Sequence, residues 1–242
     1  RLQEALGQSF VVENRPGAGS IIGTDAAAKS APDGYTLLVM SNTHTVNESL
    51  IANKPYQLMR DFVGVAPINA SDLVLVARAG LPTAQLGELL KSMAGVKIVH
   101  VPYKGSAQAR TDVLGGQVDL MFDAIPTMVE QVKAGKVKAV ATSGRARSAI
   151  MPDVPTLSEA GVPGYEATIW LGVMAPKGTP AAIVNRLNAE ISKITSNPEL
   201  RRQWGAQGSA ALTMGVDEFT KYLNDDIAKW ANLVKSAGIK VD

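Results

Sequence analysis

The sequence predicts an α/β protein of two lobes, joined by two crossing strands and finished by a helical C-terminal third. Three observations carry this. Short β-branched runs alternate with helical stripes over the first two thirds, the pattern of βαβ units. Two extended apolar segments, DLVLVARAGLP near Ser71–Pro82 and TIWLGVMAPKGTP near Thr168–Pro180, end in Gly/Pro and enclose a compact α/β block. Beyond them nearly every apolar residue falls at helical spacing. Two crossings place both chain ends in one lobe, residues 1–76 plus 173–242, and insert the other, 77–172, as in a hinged clamp.

The elements follow in order. Expected strands are Phe10–Val12, Thr36–Met40, Leu73–Arg78, Lys97–Pro102, Val118–Phe122, Val137–Ala141 and Thr168–Ala175. Most are continuous apolar runs, which predicts burial on both faces of a parallel sheet. Helices are expected at Gly23–Ser30, Ala84–Met93, Ser106–Leu114 and Pro126–Ala134. Thr179-Pro180 reads as an N-cap with proline at the first helical position, and Asn197-Pro198 repeats that signal. Phe219, Tyr222, Leu223, Ile227, Trp230 and Val234 trace one long stripe that stops at Gly238.

Composition narrows the function. With 46% hydrophobic and 19% charged residues the chain can bury a core. Its formal charge of +2 comes without a basic run, and aromatics are sparse, so a nucleic-acid surface is not expected. No apolar run has the length of a membrane span. There are no cysteines and only two histidines, His44 and His100, far apart in sequence, which removes thiol chemistry and the usual zinc patterns. His100 lies inside an alternating strand and reads as structural. No cofactor is expected.

The stretch ENRPGAGSIIGT (Glu13–Thr24) has the layout of a phosphate-cradling turn: an apolar run, glycines, a helix start. Gly17, Gly19 and Gly23 are spaced GxGxxxG, one residue longer than the dinucleotide fingerprint. The next strand ends in Ser41-Asn42-Thr43, without the acidic residue that would hold a ribose. A packing turn explains these glycines as well. A nucleotide-dependent α/β enzyme using residues 17–23 nevertheless stays open as the alternative.

Ligands of open α/β sheets sit beyond the carboxyl ends of the strands. There the chain offers SNTHTVNES, with Ser41, Asn42, Thr43 and His44, then Tyr103-Lys104-Gly105-Ser106, Asp123 with Thr127, and Thr142-Ser143-Gly144. Hydroxyls, amides and helix N-termini outnumber fixed charges, and no arginine occupies an evident clamp position. Such a set suits a carboxylate held by neutral donors. No GxSxG elbow and no paired carboxylates suggest catalysis.

These residues fall within a wider set of motifs. ENRPGAGSIIGT, PDGYTLL, HVPYKGS, VLGGQVDLMFD, MPDVPTLSEAGVPGYE, APKGTP and the ending KWANLVKSAGI together resemble the receptors of tripartite tricarboxylate transporters, the Bug-type periplasmic proteins. The resemblance implies a type II (Venus-flytrap) periplasmic binding protein, monomeric and without enzymatic activity or membrane insertion. It would capture a small carboxylate and pass it to membrane permease subunits; a receptor feeding a sensor system is the neighbouring alternative. By resemblance and position, Ser41, Asn42, Thr43 and His44 serve lobe one, with Gly17 and Gly19 lining the cleft by backbone. Tyr103, Lys104, Asp123 and Thr127 serve lobe two. Against the family pattern, segments are expected to be missing before residue 1 and near residues 86–90, where TAQLGELLKSMAG runs straight across.

Overall fold

The structure, a computed structural model, describes residues 1–81, 99, 101–103 and 105–238. The chain divides into two compact units: Arg1–Asn69 with Trp170–Arg201 and Ala211–Asp242, and Ala70–Ile169 with Arg202–Ala210.

The first unit begins with α1 (Leu2–Leu6), a 3-10 turn at Ala18–Ser20 and α2 (Ile21–Ala28). Strand β1 (Leu38–Ser41) leads directly into α3 (Asn42–Leu50), and a short α4 (Leu58–Asp61) precedes β2 (Phe62–Arg78). The 17 residues of β2 run from this unit into the second. There follow α5 (Ser106–Leu114), β3 (Leu120–Ala124), α6 (Ile125–Lys133) and β4 (Val137–Thr142). Strand β5 (Thr168–Pro176) returns to the first unit with α7 (Ala181–Thr195); α8 (Pro198–Gly205) and β6 (Ser209–Ala211) pass through the second unit at Arg202–Ala210, and α9 (Val216–Ala237) closes the first.

The α/β class holds, but the pairing differs from the expected parallel sheet. Strand β1 pairs β5 antiparallel, and β3 and β4 both pair β2 antiparallel. The apolar runs misled because burial on both faces does not require parallel strands. Along β2, Val74 and Val76 face a cluster with Val113, Ile125 and Met128, while Leu75 and Ala77 pack against Val140 and Leu157. A covered antiparallel strand therefore reads like a parallel one.

Three other expectations need correction. Phe10–Val12 forms no strand; Val11 and Val12 are 89% and 82% exposed. Strand propensity acts only where another strand supplies the hydrogen-bonding ladder. SNTHTVNES is the helix α3 rather than a loop. Pro180, not Thr179, is the N-cap of α7, and the Thr179 hydroxyl donates to the Pro176 carbonyl instead. The expected helix Ala84–Met93 lies outside the described residues, as do Lys97, Ile98 and His100 of the expected strand Lys97–Pro102, whose described residues Val99, Val101 and Pro102 are in no strand. The signal at Asn197 holds, since its Oδ1 accepts from the Leu200 N–H at 3.0 Å. Gly238 ends α9 in the left-handed conformation its position suggested.

Helix α9 lies against the sheet of the first unit. Phe219 and Leu223 are fully buried, and Trp170 meets Phe219 and Tyr222 edge-on at centroid distances of 6.1 and 5.2 Å. Two glycines permit the close approach: a Cβ on Gly172 would lie 2.5 Å from the Phe219 ring, and one on Gly64 3.2 Å from Leu223 and Phe219. Gly172→Ala is therefore expected to destabilise the protein by about 1–3 kcal/mol through overpacking. Denaturant unfolding measures this, and an unchanged midpoint would contradict the packing.

Candidate functional site

The candidate residues fall into two sets, one in each unit. In the first unit the N-terminus of α3 is built by a capping box. The Ser41 hydroxyl accepts from the Thr43 N–H at 3.3 Å and from the backbone of His44, while His44 Nδ1 faces the Ser41 N–H at 3.2 Å. Nδ1 also lies 3.2 Å from the Ser41 carbonyl oxygen, so the imidazole tautomer decides whether it accepts from the N–H or donates to that carbonyl. His44 is 5% exposed, so it positions the helix start rather than reaching solvent. Burial pushes its pKa below the ordinary histidine value, outweighing the opposing hydrogen bond to Ser41. Thr43 is exposed on the first turn, Asn42 is half-buried, and the Ser41 hydroxyl still has its own hydrogen to donate.

The turn carrying Gly17 and Gly19 belongs to the same unit. Four successive residues adopt positive φ: Gly17 (124°), Ala18 (47°), Gly19 (61°) and Ser20 (77°). For Ala18 and Ser20 this left-handed backbone costs roughly 1–2 kcal/mol each. The surroundings hold the turn. Its carbonyls point inward, Gly19 O accepting from Asn47 Nδ2 at 2.7 Å and Ser20 O from Thr24 Oγ1 at 2.8 Å. Asn47 and Thr24 are both buried. Asn47 sits on α3, so one helix fixes both the capped N-terminus and the glycine turn. The nucleotide layout is absent here, because no strand precedes the turn.

The second unit holds Asp123 at the end of β3, 8% exposed. Its Oδ1 accepts from the Ala124 N–H at 2.9 Å. Its Oδ2 accepts from Arg110 Nε at 2.9 Å and lies 2.7 Å from Nη2 as an ion pair. Arg110 stands on α5 and escaped the sequence reading, which found no arginine clamp. Its side chain crosses from an apparently exposed helical position to a strand end that is only apparent in three dimensions. The Thr127 hydroxyl donates to the Ala124 carbonyl at 2.7 Å, which caps the first turn of α6 and leaves its oxygen to accept. The Tyr103 hydroxyl donates to Asp112 Oδ2 at 2.7 Å, and this bond raises its pKa. Arg110 and Asp112 lie about 200° apart around α5, so Tyr103 and Asp123 use different sides of that helix. Lys104 lies outside the described residues.

Among the described residues no cluster of three or more His, Cys, Asp or Glu could hold a metal, and no helix is long and apolar enough to cross a membrane. A cavity of about 720 Å³ between α7 and the start of α9, lined by Asn185, Asn188 and Asp217, is separate from both sets.

Two outcomes follow from the first set. Because the folded-state pKa of His44 lies below its unfolded value near 6.5, the unfolded chain takes up the proton first as pH falls. The stabilisation is present above about pH 6.5 and lost below it. His44→Gln keeps an acceptor at the third helical position but cannot titrate. Its unfolding free energy should therefore fall less than that of the parent between about pH 7 and pH 5; identical slopes would remove His44 as the cause. Asn47→Ala leaves the Gly19 carbonyl without its donor and should cost about 1–3 kcal/mol in thermal or denaturant unfolding.

Comparison with known proteins places these sets in context. The model of the tripartite tricarboxylate transporter family receptor matches residues 1–93 and 83–239. BugT of Bordetella pertussis is 35% identical, covering 99% of this chain and 83% of that protein. The periplasmic binding protein BugD superposes with a TM-score of 0.91 at 31% identity, over 99% of this chain and 90% of that one. An R. palustris protein solved with adipate gives 0.91 at 30% identity, over 99% and 90%. MatC from Rhodopseudomonas palustris, solved with bound malate, gives 0.87 at 29% identity, over 96% and 90%. The chain therefore belongs to the receptor family of tripartite tricarboxylate transporters, solute-binding proteins of the periplasmic binding fold and not enzymes.

Proposed function

We propose that this chain is a periplasmic receptor that captures a small carboxylate as a monomer and delivers it to the membrane permease subunits of a tripartite tricarboxylate-type transporter. The observation that carries the reading is the chemistry of the solutes in its solved relatives: adipate in one, malate in another. The donors of this chain suit that chemistry. A carboxylate needs hydrogen-bond donors and positive potential, and a helix N-terminus supplies both without a titrating group. In the first unit the proposed contacts are the Ser41 and Thr43 hydroxyls, Asn42 and the backbone of Gly17 and Gly19, with His44 holding the helix start. In the second they are Tyr103, Lys104 and Thr127, with Asp123 holding the strand end around them.

A calorimetric or thermal-shift screen of mono-, di- and tricarboxylates, amino acids and nucleotides tests this. At least one carboxylate is expected to bind with micromolar affinity or better, about 8 kcal/mol or more. At 100-fold excess over Kd it should add about 2.7 kcal/mol of stability. Hits confined to NAD(P) or ATP, or none among the acids, would sink the reading.

A further inference from the structure

We propose that Arg110 selects the charge of the ligand: one edge of its guanidinium receives a ligand carboxylate, so acids are preferred over analogues in which that carboxylate is an amide. This rests on the carboxylate-receptor reading above and deepens it.

A guanidinium offers two edges that can each hold a carboxylate by paired N–H groups, Nε with Nη2 and Nη1 with Nη2. Asp123 Oδ2 occupies the first, at 2.9 and 2.7 Å. Among the described residues the second edge has no partner. The arrangement is not a loose surface pair. The Asp123 side chain is 9% exposed, belongs to a strand paired with β2 at Val74, and is fixed by the Ala124 N–H on its other oxygen. The Arg110 side chain keeps 26% of its surface exposed, against 9% for Asp123. A planar fork held this way loses little further freedom when an anion docks.

The electrostatics favour discrimination. Asp123 balances the charge of Arg110, so the pair alone does not attract every anion strongly. A carboxylate on the open edge completes two charge-assisted hydrogen bonds. A neutral amide presents only one acceptor oxygen, and its NH₂ group would face donors. Helix N-termini and hydroxyls cannot make that distinction as sharply, since they donate to any acceptor oxygen.

The test uses the protein itself with succinate, glutarate, adipate and malate, each beside its mono-amide, titrated by calorimetry into the parent, Arg110→Gln and Arg110→Lys. The parent is expected to bind at least one diacid about 10- to 100-fold more tightly than its mono-amide, the range of a charge-assisted hydrogen bond. Arg110→Gln should bring that ratio close to one. Arg110→Lys, which keeps the charge but not the fork, should lie between. Melting temperatures of the unliganded variants show whether folding is affected, and the ratio is unmoved by a purely structural role. If the parent binds diacids but Arg110→Gln keeps the parent's ratio, or loses both ligands equally, the assignment to Arg110 falls while the receptor reading stands. The same follows if the parent binds acid and mono-amide alike. If the parent binds none of these compounds and none of the wider acid panel, the receptor reading falls, and this inference with it.

Discussion

One hydrogen bond from a buried threonine ties the first unit's candidate set to the rest of the fold. The Thr45 hydroxyl donates to Asp226 Oδ2 at 2.5 Å, joining α3 to α9 across 181 positions of sequence, and Trp230 Nε1 donates to the same oxygen at 3.2 Å. Thr45 is fully buried and Asp226 half-buried, so a misplaced α3 would strand the hydroxyl away from water. At the other end of α3, Lys54 reaches the Glu48 and Ile51 carbonyls and the Glu48 carboxylate, placing a cation at the helix C-terminus. The helix is thus fixed along its length before any ligand is considered. The Ser41–His44 box starts it, and Asn47 reaches from it to the glycine turn.

The same tie explains the neighbouring tyrosine. Tyr222, one turn before Asp226 on α9, has its phenol pushed up to about 12 by burial first and by the Asp226 charge second. It stays neutral at any physiological pH and acts as a hydrophobic body against Trp170, not as an acid. In the second unit the strand end is organised on a related principle. Asp123 spends its oxygens on Ala124 and Arg110, and its role becomes the orientation of a guanidinium. In both units the side chain that looked most reactive in sequence, His44 in one and Asp123 in the other, supports its neighbours.

This is also why the sequence reading succeeded in some places and failed in others. Helix α9 was legible because Phe219, Tyr222, Leu223, Ile227, Trp230 and Val234 repeat at helical spacing. Helix α3 was not, because the residues it buries are His44, Thr45 and Asn47, which are polar. Their burial is satisfied by Ser41, Asp226 and Gly19, partners that no hydrophobic period reveals. The apolar runs located β1, the Leu73–Arg78 end of β2, β4 and β5, but a strand covered on both faces carries no mark of its neighbour's direction. Phe10–Val12 has strand residues and no ladder. Arg110 was invisible for a related reason: its partner is 13 positions away on another element, and only the fold of α5 beside β3 brings them together.

The two candidate sets differ in what they can discriminate. A capped helix start with hydroxyls and a turn of backbone N–H groups offers donors whose strength barely depends on the ligand's total charge. Under the proposed function such a set would hold a carboxylate by shape and by the helix dipole and would tolerate exchange of one acid for another. A guanidinium already compensated on one edge behaves differently, since its remaining edge rewards a second anionic oxygen and leaves a neutral group poorly paired. A receptor built only on the first kind of chemistry would admit many organic acids. Adding one half-compensated arginine narrows that range without raising net charge. On this reading Arg110 narrows what the neutral donors would otherwise let in.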